Sequence, residues 1–449
     1  MLLRELPWPG SPAAWYSTLR RLPWPCWLDS GAGPVDERRR WHIMVAAPRW
    51  RVIAREGLTQ VADAAGRVKA DSRPPLEVIR ALLDGRPPPA GLPFAGGAVG
   101  YLSYDHGRRL MGLPVAALEF PEVAVGIYDW AILLDRREAR AWLAGAEPPH
   151  GLVAALERAA RRAPAGAAHW RLGTLRQPIN RESYGRAFVR IQHYLREGDC
   201  YQVNYAQPFE TAFQGDPLAF YLHLRACNPV SHGGFLAYPF GWIASLSPEQ
   251  FVRLAGDRVI TRPIKGTRPR DADAVRDREL AAELEASEKD RAENLMIVDL
   301  LRNDLGRVCR PGTIAVPELF QVESLANVHH LVSTITGRLQ TGLDGLDLLE
   351  AVMPGGSITG APKRRAMEII DELEGRPRES YCGTLFWLDH GGDLDSNIAI
   401  RTFQCAGGRM RYWAGGGIVA DSRERDEYQE SLHKAAPLLQ LFPSAGEGR

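Results

Sequence analysis

Phe235-Leu236-Ala237-Tyr238-Pro239-Phe240-Gly241-Trp242-Ile243-Ala244-Ser245-Leu246-Ser247-Pro248-Glu249-Gln250-Phe251-Val252-Arg253-Leu254 reads as strands broken by turns. The period then changes: Asp277 to Leu305 predicts one long helix, Tyr184 to Arg196 an amphipathic helix before it, and Asp426 to Leu439 a helix that closes the chain. Long helices alternating with hairpin-like strands, without a regular strand-helix-strand rhythm, predict an α+β fold of layered antiparallel sheets rather than a doubly wound one. Upstream, residues 1 to about 135 mix short β-rich runs with Pro and Gly, ending in the strand-like Val123 to Tyr128 and Ala131 to Leu134. Between 136 and 180 the composition shifts to Ala and Arg, with a helix over Leu152 to Arg161, and this sets a soft boundary. The expectation is a sheet-rich region over 1–170 and a second region over 180–449, both contributing to one compact fold.

The 449 residues are 45% hydrophobic and 24% charged, an ordinary globular balance. A net charge of +1 favours neither nucleic acid nor an anionic membrane as partner, so any anion must be held by a local site. The start lacks the apolar core of a signal peptide and no apolar run approaches a membrane span, which predicts a cytoplasmic protein. Six cysteines without CxxC spacing argue against a zinc site or disulfide framework and for reduced, mostly buried thiols.

Only five of the cationic residues are lysine, and Lys265 stands in the turn-like Pro263-Ile264-Lys265-Gly266-Thr267. Arginine stays protonated, so a retained lysine points to a position that uses a compact or deprotonatable amine. Asp290 and Glu293 share one helix face, as do Glu427 and Glu430, the latter followed by Lys434. Alone, either pair is equally a solvated, salt-bridged surface. The apolar run Leu295 to Leu301 suggests that the first helix is largely buried, and two such helices face to face would offer an oxygen-only site suited to Mg²⁺. Met353 to Lys363 fails the phosphate-loop pattern, but its Ser357 to Gly360 turn, like Gly415-Gly416-Gly417 after the strand Met410 to Trp413, reads either as a backbone N–H platform or as a tight turn. Arg401, at the end of the apolar strand Asn397 to Ile400, predicts an anion partner, whereas His330 reads equally as a core histidine.

Together these stretches resemble the chorismate-utilising enzymes. The resemblance runs from about Tyr184 to Lys434, through Gly198 to Asn204, Ser247-Pro248-Glu249, Pro263 to Arg270, Ser287 to Gly306, Pro354 to Lys363, Gly392 to Arg401 and Gly415 to Ser422. A looser match covers Pro93 to Tyr101 and Trp27 to Ser30. It implies a layered α/β/β/α fold with Mg²⁺ on Glu293 and Glu430, Asp290 and Glu427 beside them, and the ring carboxylate of chorismate on the metal. Tyr381, Arg401 and the Gly415, Gly416 and Gly417 backbone would grip the enolpyruvyl carboxylate. Ser357 and Gly360 would line the other end, with Lys434 also at the substrate. Glu249 would be the general acid for the departing C4 hydroxyl, with His330 near that carbon. Asp29 and Ser30 belong to an element that binds free tryptophan in relatives.

Lys265 points to the aminodeoxychorismate branch, since anthranilate synthases carry a small residue there. The implied chemistry is attack of a neutral amine on C2, then displacement by ammonia at C4; Arg262, Arg268 and Arg270 are expected to crowd the lysine and lower its pKa. Alternatives are an anthranilate synthase component and a catalytically silent, amino-acid-binding regulatory subunit. No cysteine lies in a glutaminase nucleophile elbow, so a glutamine amidotransferase subunit is the expected partner, and neither a nucleic acid nor a membrane is. The chain departs from the usual pattern at Val230 to Gly234, expected near the substrate or a domain interface, and at Phe386-Trp387.

Overall fold

The computed structural model describes residues 1–33, 35, 39–161, 169–325 and 328–442; residues 162–168, within the Ala- and Arg-rich stretch, lie outside the described residues. Among the described residues, two antiparallel sheets of 12 strands each form the centre. The first runs from Leu2–Leu6 through Trp130–Asp135, Trp41–Val45 and Cys26–Asp29 to His232–Tyr238, Gly241–Ser247, Thr402–Ala406, Arg409–Ile418 and Gln202–Gly215. The second runs from Ile264–Pro269 and Val328–Arg338 through Gln250–Ala255, Leu394–Asn397 and Thr384–Asp389 to Gly97–Leu102, Val123–Tyr128 and Trp50–Arg55. Each sheet is therefore built from both ends of the chain.

The central strands are apolar on both faces because both faces are covered. Phe235 packs outward under the helices Pro12–Leu19 and Pro217–Cys227, while its neighbour Leu236 faces the other sheet. Val99, Tyr101, Tyr128, Leu133, Leu236 and Ile243 fill the space between the sheets. On the far side, Ile297, Val298, Leu301 and Leu305 of the helix Glu288–Gly306 pack against the second sheet with Leu346 and Leu349 of Gly345–Val352. The layering is α/β/β/α, and the fold is α+β.

Several boundaries differ from expectation. The stretch 277–305 is two helices, Ala274–Ala286 and Glu288–Gly306, because Ser287 is extended and its hydroxyl accepts the Asp290 N–H at 3.3 Å, an N-cap. Helix Glu288–Gly306 buries one face only: Asn294, Ile297 and Leu301 are inside while Leu295 is exposed. The last helix stops at Lys434 and restarts as Ala436–Leu439. The strand before Arg401 ends at Asn397, since there the chain leaves the second sheet for the first.

That crossing has a companion. The chain passes from the first sheet to the second at Pro248-Glu249, between Gly241–Ser247 and Gln250–Ala255, and returns over residues 398–401. The two passages lie side by side: Ile398 N donates to Glu249 O at 3.2 Å, and Ser247 Oγ to Ile398 O at 2.6 Å. Among the described residues no helix is long and apolar enough to cross a membrane. Ile243 is fully buried between the sheets, so Ile243→Ala is expected to destabilise the chain by about 2–5 kcal/mol, read as a lowered thermal midpoint with an unchanged far-ultraviolet spectrum.

Candidate active site

Where the crossings meet the ends of the sheets, a cavity of ≈ 650 Å³ opens. Glu249, Lys265, Asp290, Glu293, His330, Ser357, Tyr381, Arg401, Gly415, Gly417, Glu427, Glu430 and Lys434 all line it, although they come from distant parts of the sequence.

Lys265 does not sit in a turn. The strand Ile264–Pro269 pairs with Val328–Arg338, and the register shifts between Ile264 and Thr267, so Lys265 and Gly266 occupy a β-bulge. A bulge re-aims a side chain out of strand alternation, and here it points Lys265 at the cavity. Gly266 permits it with φ of +80°; a Cβ there would stand 2.8 Å from Leu284 and 2.9 Å from Asp290. The Lys265 amine donates to Ser357 O at 3.5 Å, and Ser357 Oγ donates to Glu249 Oε1 at 3.3 Å.

Burial pushes Glu249 up to about 7, against the opposing pull of Lys265, the Ile264 N–H and Ser357. Burial also lowers the Lys265 pKa, and Lys434 adds to this, outweighing Glu293, Glu249 and Glu430. The arginines expected to do so are spent elsewhere: Arg262 pairs with Glu323, Arg268 with Glu283 at 3.1 Å and Asp290 at 3.2 Å, and Arg270 with Asp277 at 2.7 Å. His330 Nδ1 meets Thr267 Oγ1 at 3.0 Å, across the strand pair that carries the bulge.

The helices Glu288–Gly306 and Glu424–Lys434 bring Glu293, Glu427 and Glu430 to one side of the cavity. Burial raises the pKa of Glu293 and Glu427, with Glu430 repelling both, while Lys434 holds Glu430 below its ordinary value. Ammonium groups supply the counter-charge: Lys434 lies 2.6 Å from Glu430, and Lys289 lies 3.7 Å from Glu427 and 3.9 Å from Glu293. Of the two acids expected beside Glu293 and Glu430, Glu427 stays with them while Asp290 turns to Arg268 at 3.2 Å, and among the described residues no three acids converge on one ion as they stand. Glu293, Glu427 and Glu430 still fit a hard cation: the donors are all oxygen, and beneath them is Gly416, where a Cβ would come 3.3 Å from Glu430 and 3.4 Å from Glu427.

Arg401 sits in the second crossing with φ of +49° and, among the described residues, its side chain makes no hydrogen bond or ion pair, leaving a guanidinium for an anion in the cavity. Nearby, Tyr381 stacks on Trp413 at 5.8 Å and 7°. Gly415, Gly416 and Gly417 form no turn; they lie inside the strand Arg409–Ile418, paired with Ala206, Tyr205 and Asn204. Gly360 is outside the cavity, bridging Val203, while Ser357 is on its wall.

Asp29 and Ser30 are absent from this cavity and line another, of ≈ 330 Å³. Asp29 is already bound by Arg225, by Tyr221 at 2.6 Å and by His42 at 3.1 Å; burial opposes its ionisation, but Arg225 and His42 hold it well below the carboxylate range. Both departures from the family pattern converge there, Ser231, His232 and Gly233 with Phe386 and Trp387. Asn204, Trp413 and Lys289 also line the larger cavity, and the sequence assigns none of them a role there. Strand alternation through 413, 415 and 417 was the available signal for Trp413.

The profile of the chorismate binding enzyme family matches residues 33–440. The chain is 44% identical to aminodeoxychorismate synthase component 1 of Klebsiella aerogenes, over 98% of each chain. It is 43% identical to the protein of the same name from Salmonella typhimurium strain LT2, over 97% of this chain and 96% of that one. Among solved structures, anthranilate synthase component I from Streptococcus pneumoniae TIGR4 is similar with a TM-score of 0.76 and 29% identity, over 88% of this chain and 91% of that one.

Glu249 keeps its proton to a higher pH in the folded chain than in the unfolded one, so its contribution to stability falls as pH rises from the ordinary carboxylate range through about 7. Glu249→Gln is therefore expected to raise the thermal midpoint at pH 8 and leave it nearly unchanged at pH 4; a lower midpoint at pH 8 would contradict the burial argument.

Proposed function

The chain belongs to the chorismate binding enzyme family, and from that premise we propose that it aminates chorismate at C4, giving 4-amino-4-deoxychorismate for 4-aminobenzoate and folate synthesis in the cytoplasm. The observation that carries this reading is Lys265, aimed by the bulge into the acid-lined cavity with a lowered pKa, next to a carboxyl that burial keeps protonated near neutrality. A nucleophilic amine has to be neutral and a general acid has to hold its proton, and the cavity favours both forms.

In the first step the Lys265 amine bonds to C2, the ring double bonds shift, and the C4–O bond breaks, the hydroxyl leaving as water with the proton of Glu249. Ammonia then bonds to C4, the double bonds shift back and the C2–N bond breaks, returning the free lysine; the proton shed by the new amine restores Glu249. Chorismate and ammonia are consumed, the aminated product and water are formed, and pyruvate stays attached as the enolpyruvyl ether.

Mg²⁺ on Glu293, Glu427 and Glu430 would supply Lewis-acid attraction for the ring carboxylate. Arg401 and Tyr381 orient the enolpyruvyl carboxylate, Ser357 lines the wall beside Glu249, and Lys434 and His330 face the ring. Ammonia comes from a glutamine amidotransferase subunit, as the component 1 names of the relatives suggest. The separate cavity beside Asp29 and Ser30 is where this reading places a free tryptophan.

The test is to incubate the purified chain with chorismate, Mg²⁺ and ammonium and identify the product by mass. The expected product retains the enolpyruvyl group, and Lys265→Ala reduces its formation by about 10²-fold or more, the scale of losing a positioned catalytic group. Anthranilate with free pyruvate would show the rival activity instead.

A further inference from the structure

We infer that Arg378, which lies outside the cavity, is a positioning residue that fixes the wall around Lys265 and Glu249 by tying three chain segments to one guanidinium. The inference rests on the proposed amination. Arg378 is 2% exposed and is not among the residues lining the cavity. Its Nη1 donates to Ile358 O at 3.0 Å and its Nη2 to Asn204 O at 2.6 Å. Nε and Nη2 donate to the two oxygens of Glu374 at 2.9 and 2.6 Å, and Glu374 in turn accepts the Ala206 N–H at 2.9 Å. The guanidinium also lies 5.5 Å from the ring centre of Tyr381 and 4.7 Å from that of Tyr104.

Asn204, Ile358 and Tyr381 all line the cavity. Ile358 directly follows Ser357, whose hydroxyl meets Glu249 and whose carbonyl meets Lys265. Moving the Ile358 carbonyl therefore moves the residue that touches both reactive groups. A planar, multiply bonded fork fixes that carbonyl in direction as well as distance, which a lysine does not. A purely structural ion pair would behave differently, because a buried pair replaced by uncharged groups of similar volume commonly leaves a protein as stable as before.

The test compares Arg378→Lys, Arg378→Met and the double variant Glu374→Gln/Arg378→Met with wild type, measuring thermal midpoint, kcat and KM for chorismate with ammonium and Mg²⁺. The Glu374→Gln change keeps a side-chain oxygen to accept the Ala206 N–H, so the double variant holds no uncompensated charge. It is expected to recover the midpoint lost by Arg378→Met while kcat stays down by about 10²-fold, the cost of roughly 1 Å of misplacement, with KM changed much less. Arg378→Lys is expected to fold and to share the kcat loss.

A double variant with wild-type kcat, a loss confined to KM, or a kcat that merely tracks the midpoint across the variants would overturn the inference. Should a variant fail to fold, Arg378→Lys carries the same comparison. If wild type forms no 4-amino-4-deoxychorismate the amination reading fails; a wild-type-like double variant sinks only the role of Arg378.

Discussion

Removing Lys265 and Glu249 from water makes the charged form of each costly, and the fold leaves neither fully offset by the other. An exposed lysine and glutamate would both be ionised at neutral pH, useless as nucleophile and proton donor. The two-sheet architecture brings them together. Glu249 stands where the chain crosses between sheets, and a crossing needs irregular backbone that strand alternation does not control. Lys265 needs a bulge, and the bulge needs Gly266, which packs against Leu284 and Asp290. The sheets thus supply stiffness, while their interruptions supply the chemistry.

Much of this was readable because local physics and tertiary burial agree. The run from Phe235 to Leu254 contains strands that alternate between two buried faces, so its apolar density and its turns both survive folding. The carboxylate pairs at helical spacing do share helix faces, and two helices present them to one cavity. Lysine scarcity was informative for a physical reason: three of the five lysines, Lys265, Lys289 and Lys434, reach that cavity, and Lys363 is buried against Asp304 at 2.7 Å.

What escaped the sequence depends on where the chain turns relative to other segments. Pro263 to Thr267 has the composition of a turn and becomes a bulged strand because Val328–Arg338 lies beside it. Gly415 to Gly417 also looks like a turn; it stays extended because Gln202–Gly215 pairs along its whole length, and a Cβ on Gly415 would stand 2.2 Å from Tyr205 O. The arginines around Lys265 are neighbours in sequence, yet each has a closer acid, so burial and Lys434 do what they were expected to do. Arg378 shows in sequence only an acid four positions before it, Glu374, which reads as an ordinary ion pair; the two carbonyls that give it a role lie 20 and 174 positions away along the chain.

The most direct measurement of the central claim is the intact mass of the chain after rapid quenching with chorismate and Mg²⁺ in the absence of ammonia. The account predicts an adduct heavier by chorismate less one water, mapped by peptide mass to Lys265, absent in Lys265→Ala and discharged when ammonium is added before the quench. An unmodified chain that nevertheless turns chorismate over with ammonium, or an adduct on another residue, would contradict it.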